Sequence, residues 1–429
     1  GDTYDERITI TPQPQSSITI MDQKTGQIKA MVGGRGEKAS SLGLNRAYQG
    51  SKRQPGSTFK ILAAYAPALD SCDKTLATTI DDEEYEYKNG QSVNNWDKKY
   101  IGPTRVRYGI EHSMNVLAVK TLTDYVGETE SYDYLLNFGF TTLSEDDKYS
   151  QAKALGGITN GVYNIEMTAA YAAIANGGTY TKPILYTQVL DHDGNVLLDN
   201  TTPETHEVLK DSTAYLLTSA MEDVVNGAGG TGGSARLSNM PVAAKTGTSQ
   251  ESRDLWISAF TPYYTASVWG GYDEHKTMDR LSQSWHQKLW KNIMEHIQDT
   301  KGLEYKDFEI PSSVEEKTVC TKTGLLATSS CPAITEYFSK DNAPTKSCSG
   351  HYVAPSKDSK KDDSESSDEN TPATGTDSSG TTSSPDSSSA GTTTEPAAGG
   401  DSAGTTGTTT GDTSGSTTGG DTGSGSTTQ

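Results

Sequence analysis

A serine three residues before a lysine is the smallest unit that can make a serine nucleophilic without a histidine, because a neutral lysine amine can take the hydroxyl proton. The pattern occurs three times in these 429 residues: Ser57-Lys60, Ser71-Lys74 and Ser150-Lys153. Ser-x-Asn, a hydroxyl beside an amide, occurs as Ser92-Asn94 and Ser113-Asn115. Lys-Thr-Gly, a cation and a hydroxyl followed by a residue without a side chain, occurs at positions 24, 245 and 322. In a chain so rich in Ser, Thr, Lys and Gly, no single hit carries weight. Its surroundings must decide.

Ser57 follows Pro55-Gly56 and opens an apolar stretch, so it sits where backbone N–H groups are unpaired. Lys60 lies one turn on, among Phe59, Ile61, Leu62 and Ala63, where desolvation would lower its pKa toward that of a general base. Ser71 and Lys74 fall in "LDSCDKT", Ser150 and Lys153 in "SEDDKYSQAK"; both read as solvated surface. Ser113-Met114-Asn115 directly precedes the apolar run "VLAVKTL", whereas Ser92-Val93-Asn94 falls in a polar loop. Lys245-Thr246-Gly247 continues a small-residue strand, and its glycine permits close approach of another backbone. Lys24-Thr25-Gly26 reads as a hairpin turn, and Lys322-Thr323-Gly324 lies between cysteines.

The elements that must position this trio are legible in the hydrophobic periodicity. "SSITIMDQKTGQIKAMVGG" alternates on both sides of a turn, as a β-hairpin does. "STFKILAAYAPALD" predicts a helix disturbed at Pro67, and "EHSMNVLAVKTLTDYVG", "GVYNIEMTAAYAAIANGG" and "STAYLLTSAMEDVVNG" predict further helices. "NMPVAAKTGTS", "DLWISAFTP" and "YYTASVWGGYD" predict an antiparallel meander. Strands, a helical block, then strands of the same sheet make an α+β fold, an antiparallel sheet flanked by helices. The aromatic run around Trp256, Tyr263, Tyr264 and Trp269 reads as core and sheet surface, and "DDEEYEYKNG" as a solvated loop.

The formal charge of −20 disfavours nucleic acid as a partner, since phosphates would be repelled. Residues 355–429 contain no aliphatic side chain larger than Ala and carry twelve acids against three lysines, so this tail is expected to be disordered. The part before it has room for one large body and a small appendage. No apolar run is long enough to span a bilayer, and the start reads as that of a soluble piece of something longer. Cys320, Cys331 and Cys348 cluster apart from Cys72. They are open to a loop-closing disulfide in an oxidising compartment, or to ordinary thiols. A zinc site wants tighter spacing than this, with His351 as the remaining candidate ligand.

In their order, Ser57/Lys60, Ser113/Asn115 and Lys245/Thr246/Gly247 resemble the three motifs of the serine penicillin-recognising enzymes. The blocks "RQPGSTFKILAAYAPAL", "GPTRVRYGIEHSMNVLAVK", "ALGGITNGVYNIEMTAAYAAIANGG" and "AAKTGTS" are similar to the transpeptidase domain of class A, bifunctional penicillin-binding proteins. The resemblance covers about residues 1–352. It implies a transpeptidase domain over 1–300 with an all-helical subdomain, a small Cys-containing extension over 301–354, and the tail.

It further implies Ser57 as acylated nucleophile, Lys60 as its base, and Lys245 as a cation that depresses the pKa of Lys60. Ser113 would relay the proton, and Asn115 would hold the substrate amide. Lys245, Thr246 and Thr248 would bind the substrate carboxylate, and the N–H groups of Ser57 and Thr248 would form the oxyanion hole, beside Gly247. The implied reaction is DD-transpeptidation of peptidoglycan stem pentapeptides at D-Ala-D-Ala, inhibited by β-lactams, with no metal or organic cofactor. It would take place on the extracytoplasmic face of a bacterial membrane, in a protein that also carries an N-terminal glycosyltransferase domain and an anchor. A DD-carboxypeptidase, a β-lactamase using Glu166, and a degenerate surface protein are the alternatives; Glu166 reads as structural.

Overall fold

The Asp22–Gly26 turn reverses the chain so that Gln15–Met21 pairs antiparallel with Ile28–Val32. The structure is a computed structural model that describes residues 13–37, 41–274, 276–278 and 283–351; the acidic tail lies outside the described residues. More than two hundred residues later, Ala243–Thr248, Asp254–Phe260 and Thr265–Gly271 form the expected meander. Thr265–Gly271 then pairs with Gln15–Met21, giving one five-stranded antiparallel sheet. Ala243–Thr248 is an outer strand, paired among the described residues only with Asp254–Phe260.

Side chains alternate across the sheet, so each face has its own packing. Trp256, Trp269 and Phe260 join the main core with Met167 and Tyr171 of the helix Asn164–Ala175. Ile257, Ala259, Ala266 and Val268 pack on the other face against Trp290 and Met294 of the helix Trp285–Lys301. The helix Asn164–Ala175 is apolar all round ("NIEMTAAYAAIA"), which suits burial rather than a solvated face. Asp211–Asn226 packs along the outer strand.

Two helices differ from the periodicity-based expectation, and both differences shape the site. Gly56–Thr58 is a 3₁₀ turn, Lys60–Tyr65 winds as a wide π-type turn, and only Ala66–Asp70 is α-helical. Pro67 sits in the first turn of that last piece and has no N–H for the carbonyl four residues back. Ser131 Oγ donates to that carbonyl, Ala63 O, at 2.6 Å instead. "EHSMNVLAVKTLTDYVG" is not continuous either. One helix ends at Glu111, Ser113 takes φ +54°, and Asn115–Lys120 starts afresh.

Beyond the sheet, Val314–Cys320 pairs with Ala333–Ser339 as a separate hairpin. Arg107 holds it to the body, donating to the buried Glu336 carboxylate at 2.6–3.0 Å and to Asp223 at 2.7 Å.

Candidate active site

The trio singled out by context converges on one place. Ser57, Ser113, Asn115, Thr246 and Thr248 line a cavity of about 690 Å³, with the exposed Trp96. Lys60 and Lys245 lie beneath, both fully buried. Lys245 Nζ donates to Ser113 Oγ at 2.8 Å and to Thr246 O at 3.2 Å. Lys60 Nζ donates to Ser113 O at 2.5 Å, Asn115 Oδ1 at 2.6 Å and Ser113 Oγ at 3.2 Å. One serine hydroxyl thus bridges two buried amines. Ser57 lines the cavity above, and the hydrogen bonds of Lys60 and Lys245 go to Ser113, Asn115 and Thr246 rather than to the Ser57 hydroxyl.

Glycines explain how the nucleophile's turn and the outer strand come so close. A Cβ on Gly247 would lie 2.5 Å from Pro55 O, and one on Gly56 would lie 2.6 Å from Thr248 O. Gly56 also takes φ +55°, which L side chains rarely adopt. The backbone around Ser57 is therefore pressed against the Gly247-Thr248 end of the strand. This is the close approach expected of the Lys-Thr-Gly glycine.

Burial lowers both lysine pKa values, because a charged amine loses its hydration. Lys60 is pushed well below its ordinary range by burial first and by the Lys245 charge second. Lys245 is pushed down to about 7 by burial alone. Burial is the first cause for both, and Lys60 bears the Lys245 charge in addition. Both shifts favour the neutral amine, and Lys245, at about 7, is partly charged near neutral pH.

Asn115 is set by residues that sequence context had dismissed. Asn95 Oδ1 accepts from the N–H groups of Asn115 and Val116 at 2.8 and 3.2 Å, capping the restarted helix. Asn95 Nδ2 donates to Asp82 Oδ1 at 2.7 Å, and Asp82 Oδ2 accepts from Ile101 N–H at 2.9 Å. Asn94 O accepts from Asn115 Nδ2 at 2.7 Å. The stretch "DDEEYEYKNG" is therefore not simply a solvated loop, since Asp82 is buried. The positive φ of Ser113 is the strained residue that this network holds in place.

Thr231, His286 and Gln287 also line the cavity without having been singled out. Thr231 Oγ1 lies 2.7 Å from Thr246 Oγ1, and Gln287 Nε2 donates to Thr231 O at 3.0 Å. Burial pushes the His286 pKa down to about 4, so it is neutral at physiological pH. No local spacing links these residues to the trio.

The remaining lookalikes lie elsewhere. Ser71 is exposed, and Lys74 Nζ stands 4.1 Å from the centre of the Tyr125 ring. Lys153 corrects the solvated reading: it is fully buried and donates to the carbonyls of Asp147, Lys148 and Ser150 at 3.0–3.2 Å. Those carbonyls end the 3₁₀ turn Glu145–Tyr149, so this lysine caps a helix. Glu166 accepts from Thr141 N and Oγ1 and from Tyr163 N, and lines a different cavity. His112 stacks on Tyr108, with ring centres 3.7 Å apart, and is not among the residues lining the cavity.

Residues 16–295 match the family model "Penicillin binding protein transpeptidase domain", and residues 310–352 match "Penicillin-binding protein 1A, C-terminal domain". The penicillin-binding protein 1A of Clostridium tetani is 34% identical over 367 residues, covering 79% of this chain and 45% of that protein. The chain thus spans less than half the length of that curated relative. Among solved structures, penicillin-binding protein 1A from Haemophilus influenzae aligns with a TM-score of 0.65 at 24% identity, covering 78% of this chain and 54% of that one. PonA1 from Mycobacterium tuberculosis, in complex with penicillin V, aligns at 0.62 and 24%, covering 70% and 82%. At such identities the structural likeness establishes the fold.

Proposed function

The chain belongs to the penicillin-binding protein transpeptidase family, and from that premise we propose that it cross-links peptidoglycan through an acyl-enzyme on Ser57. The observation that carries the reading is the bridge Lys60–Ser113–Lys245 under a cavity lined by Ser57. Neutral Lys60 releases its hydrogen bond to Ser113 Oγ, presents its lone pair to Ser57 and takes the hydroxyl proton as Ser57 Oγ attacks the carbonyl of a D-Ala-D-Ala bond. The N–H groups of Ser57 and Thr248 receive the developing oxyanion; a donor of that kind is worth about 3 kcal/mol of barrier. The proton passes from Lys60 to Ser113, which touches both amines, and on to the leaving D-Ala.

Lys245, Thr246 and Thr248 hold the terminal carboxylate, a cation and two hydroxyls matching its oxygens. Asn115 holds the stem-peptide amide. The unpaired side of the outer strand Ala243–Thr248 accepts the donor peptide as an added strand. A second stem's amine then attacks the ester, and a β-lactam enters as a mimic of D-Ala-D-Ala. Glu166, bound by three donors beside another cavity, gives no support to a β-lactamase reading.

We also propose that residues 1–300 form the transpeptidase domain and 301–354 a small extension to it. The working protein would include a glycosyltransferase domain and a membrane anchor and act on the extracytoplasmic face. Among the described residues no helix is long and apolar enough to cross a membrane. Incubation with a pentapeptide ending in D-Ala-D-Ala, with and without an added amine acceptor, tests the reaction. Transpeptidation predicts an amide product that rises with acceptor concentration. Hydrolysed tetrapeptide alone at every acceptor concentration would mean a carboxypeptidase.

A further inference from the structure

Cys320 and Cys348, both buried, and His351 place their donor atoms within 4.8 Å of one another. The Cys348 sulfur lies 3.4 Å from His351 Nε2. Cys331 is outside that 4.8 Å group but close by along the chain pairing: Thr321 N–H, next to Cys320, bonds Pro332 O, next to Cys331, at 2.9 Å. We propose that Cys320, Cys331, Cys348 and His351 form a structural zinc site that locks the C-terminal extension together.

The donor set selects the ion. Three thiolates and an imidazole suit zinc and exclude the hard cations that prefer carboxylates and carbonyls. With Zn–S near 2.3 Å and Zn–N near 2.05 Å, a tetrahedral ion places sulfur and nitrogen about 3.5 Å apart, as observed here without bringing any pair into covalent contact. A disulfide fits less well, because three sulfurs cannot all be paired and it would leave the imidazole unused. All four cysteines are free thiols in the structure.

A tight turn fixes the position of Cys320. After Cys320 the chain reverses through Lys322-Thr323-Gly324, with Gly324 at φ +69° and its N–H bonded to Cys320 O at 2.9 Å. The Thr323 N–H turns to the same carbonyl at 3.4 Å, so the turn folds tightly back on the ligand residue. This gives the third Lys-Thr-Gly triplet a role, shaping a ligand turn rather than binding substrate.

Apart from the hairpin ladder and the Arg107–Glu336 pair, the extension has little core among the described residues. Its own fully buried apolar side chains in the local cluster are Val319 and Phe338, packed on Ala77 of the body. A unit this small needs a covalent or metal staple to supplement its core. The four ligands come from the end of one hairpin strand, the loop after it and the closing segment 347–351, so one ion would join all three.

The test uses the whole chain, purified without chelator, with zinc measured by elemental analysis and cobalt(II) as a spectroscopic probe. The expected result is about one zinc per chain, falling at least fivefold in Cys348→Ser and His351→Ala and unchanged in Cys72→Ser. Cobalt should give an intense thiolate charge-transfer band and the visible bands of a tetrahedral centre. Labelling of each variant by fluorescent penicillin checks that the body is folded. A disulfide between any two of Cys320, Cys331 and Cys348, or a labelled, fully reduced chain that takes up neither metal, would overturn the proposal.

Discussion

Replacing Lys245 by Met should make the protein more stable and nearly inactive at once. Met fills a similar volume with no charge to desolvate. In the folded chain, burial lowers the Lys245 pKa from its ordinary 10.5 to about 7. At 1.36 kcal/mol per pH unit, keeping this lysine in place costs the folded state about 5 kcal/mol at neutral pH and below. Met also forfeits the hydrogen bonds to Ser113 Oγ and Thr246 O, worth about 1 kcal/mol each. The net expectation is a gain of about 2 to 3 kcal/mol. The sign follows from proton counting: between about pH 7 and 10 the unfolded lysine is protonated while the folded one is neutral, so wild-type stability rises with pH. The advantage of Met should therefore be full below pH 7, shrink as pH rises and vanish or reverse by pH 10. Denaturant unfolding of both proteins at pH 6, 8 and 10 reads this out, alongside the rate of penicillin acylation, which should drop at least about a hundredfold. A Met variant that is less stable at pH 6, or whose difference from wild type does not change with pH, would refute the electrostatic account of this residue.

Four further outcomes follow. The acylation rate should be bell-shaped in pH, rising as Lys60 is deprotonated at its lowered pKa and falling as Lys245 discharges near about 7; a stopped-flow profile flat from pH 5 to 9 would contradict it. Gly247→Ala puts a Cβ 2.5 Å from Pro55 O and should cost about 1–3 kcal/mol while slowing acylation, measured by unfolding and by labelling rate. Asn95→Ala removes the acceptor for the Asn115 and Val116 N–H groups and should slow acylation about tenfold or more, without moving the pH at which the rate rises. Arg107→Ala leaves the buried Glu336 without its main partner and should destabilise the protein by about 3 kcal/mol, seen as a lower unfolding midpoint.

Local features were legible in the residues themselves. The hairpin showed in the alternation around Asp22–Gly26, the meander in three short apolar runs, and Ser57, Ser113 and Lys245 in their apolar surroundings. What stayed hidden depends on contacts between segments far apart in the chain. The break at Ser113 is stabilised by Asn95, and Asn95 by Asp82, neither of which carries a helix or cavity signal. Lys153 looked solvated because its neighbours are acidic, yet what it meets is three carbonyls at a helix end. Thr231, His286 and Gln287 reach the cavity only through the packing of the helix Trp285–Lys301 and of the loop that follows Asp211–Asn226. The cluster of Cys320, Cys331 and Cys348 was visible in the sequence, but the convergence of Cys320, Cys348 and His351 to within 4.8 Å depends on how the closing segment folds back.

The central claim is that one hydroxyl, Ser57, is made reactive by two buried amines that meet at Ser113. Exposure of the folded protein to benzylpenicillin, followed by intact-mass measurement and peptide mapping, tests it most directly. The account predicts a single adduct of the mass of penicillin on the peptide carrying Ser57, absent in Ser57→Ala. No adduct on folded protein, or an adduct that persists in Ser57→Ala, would contradict it.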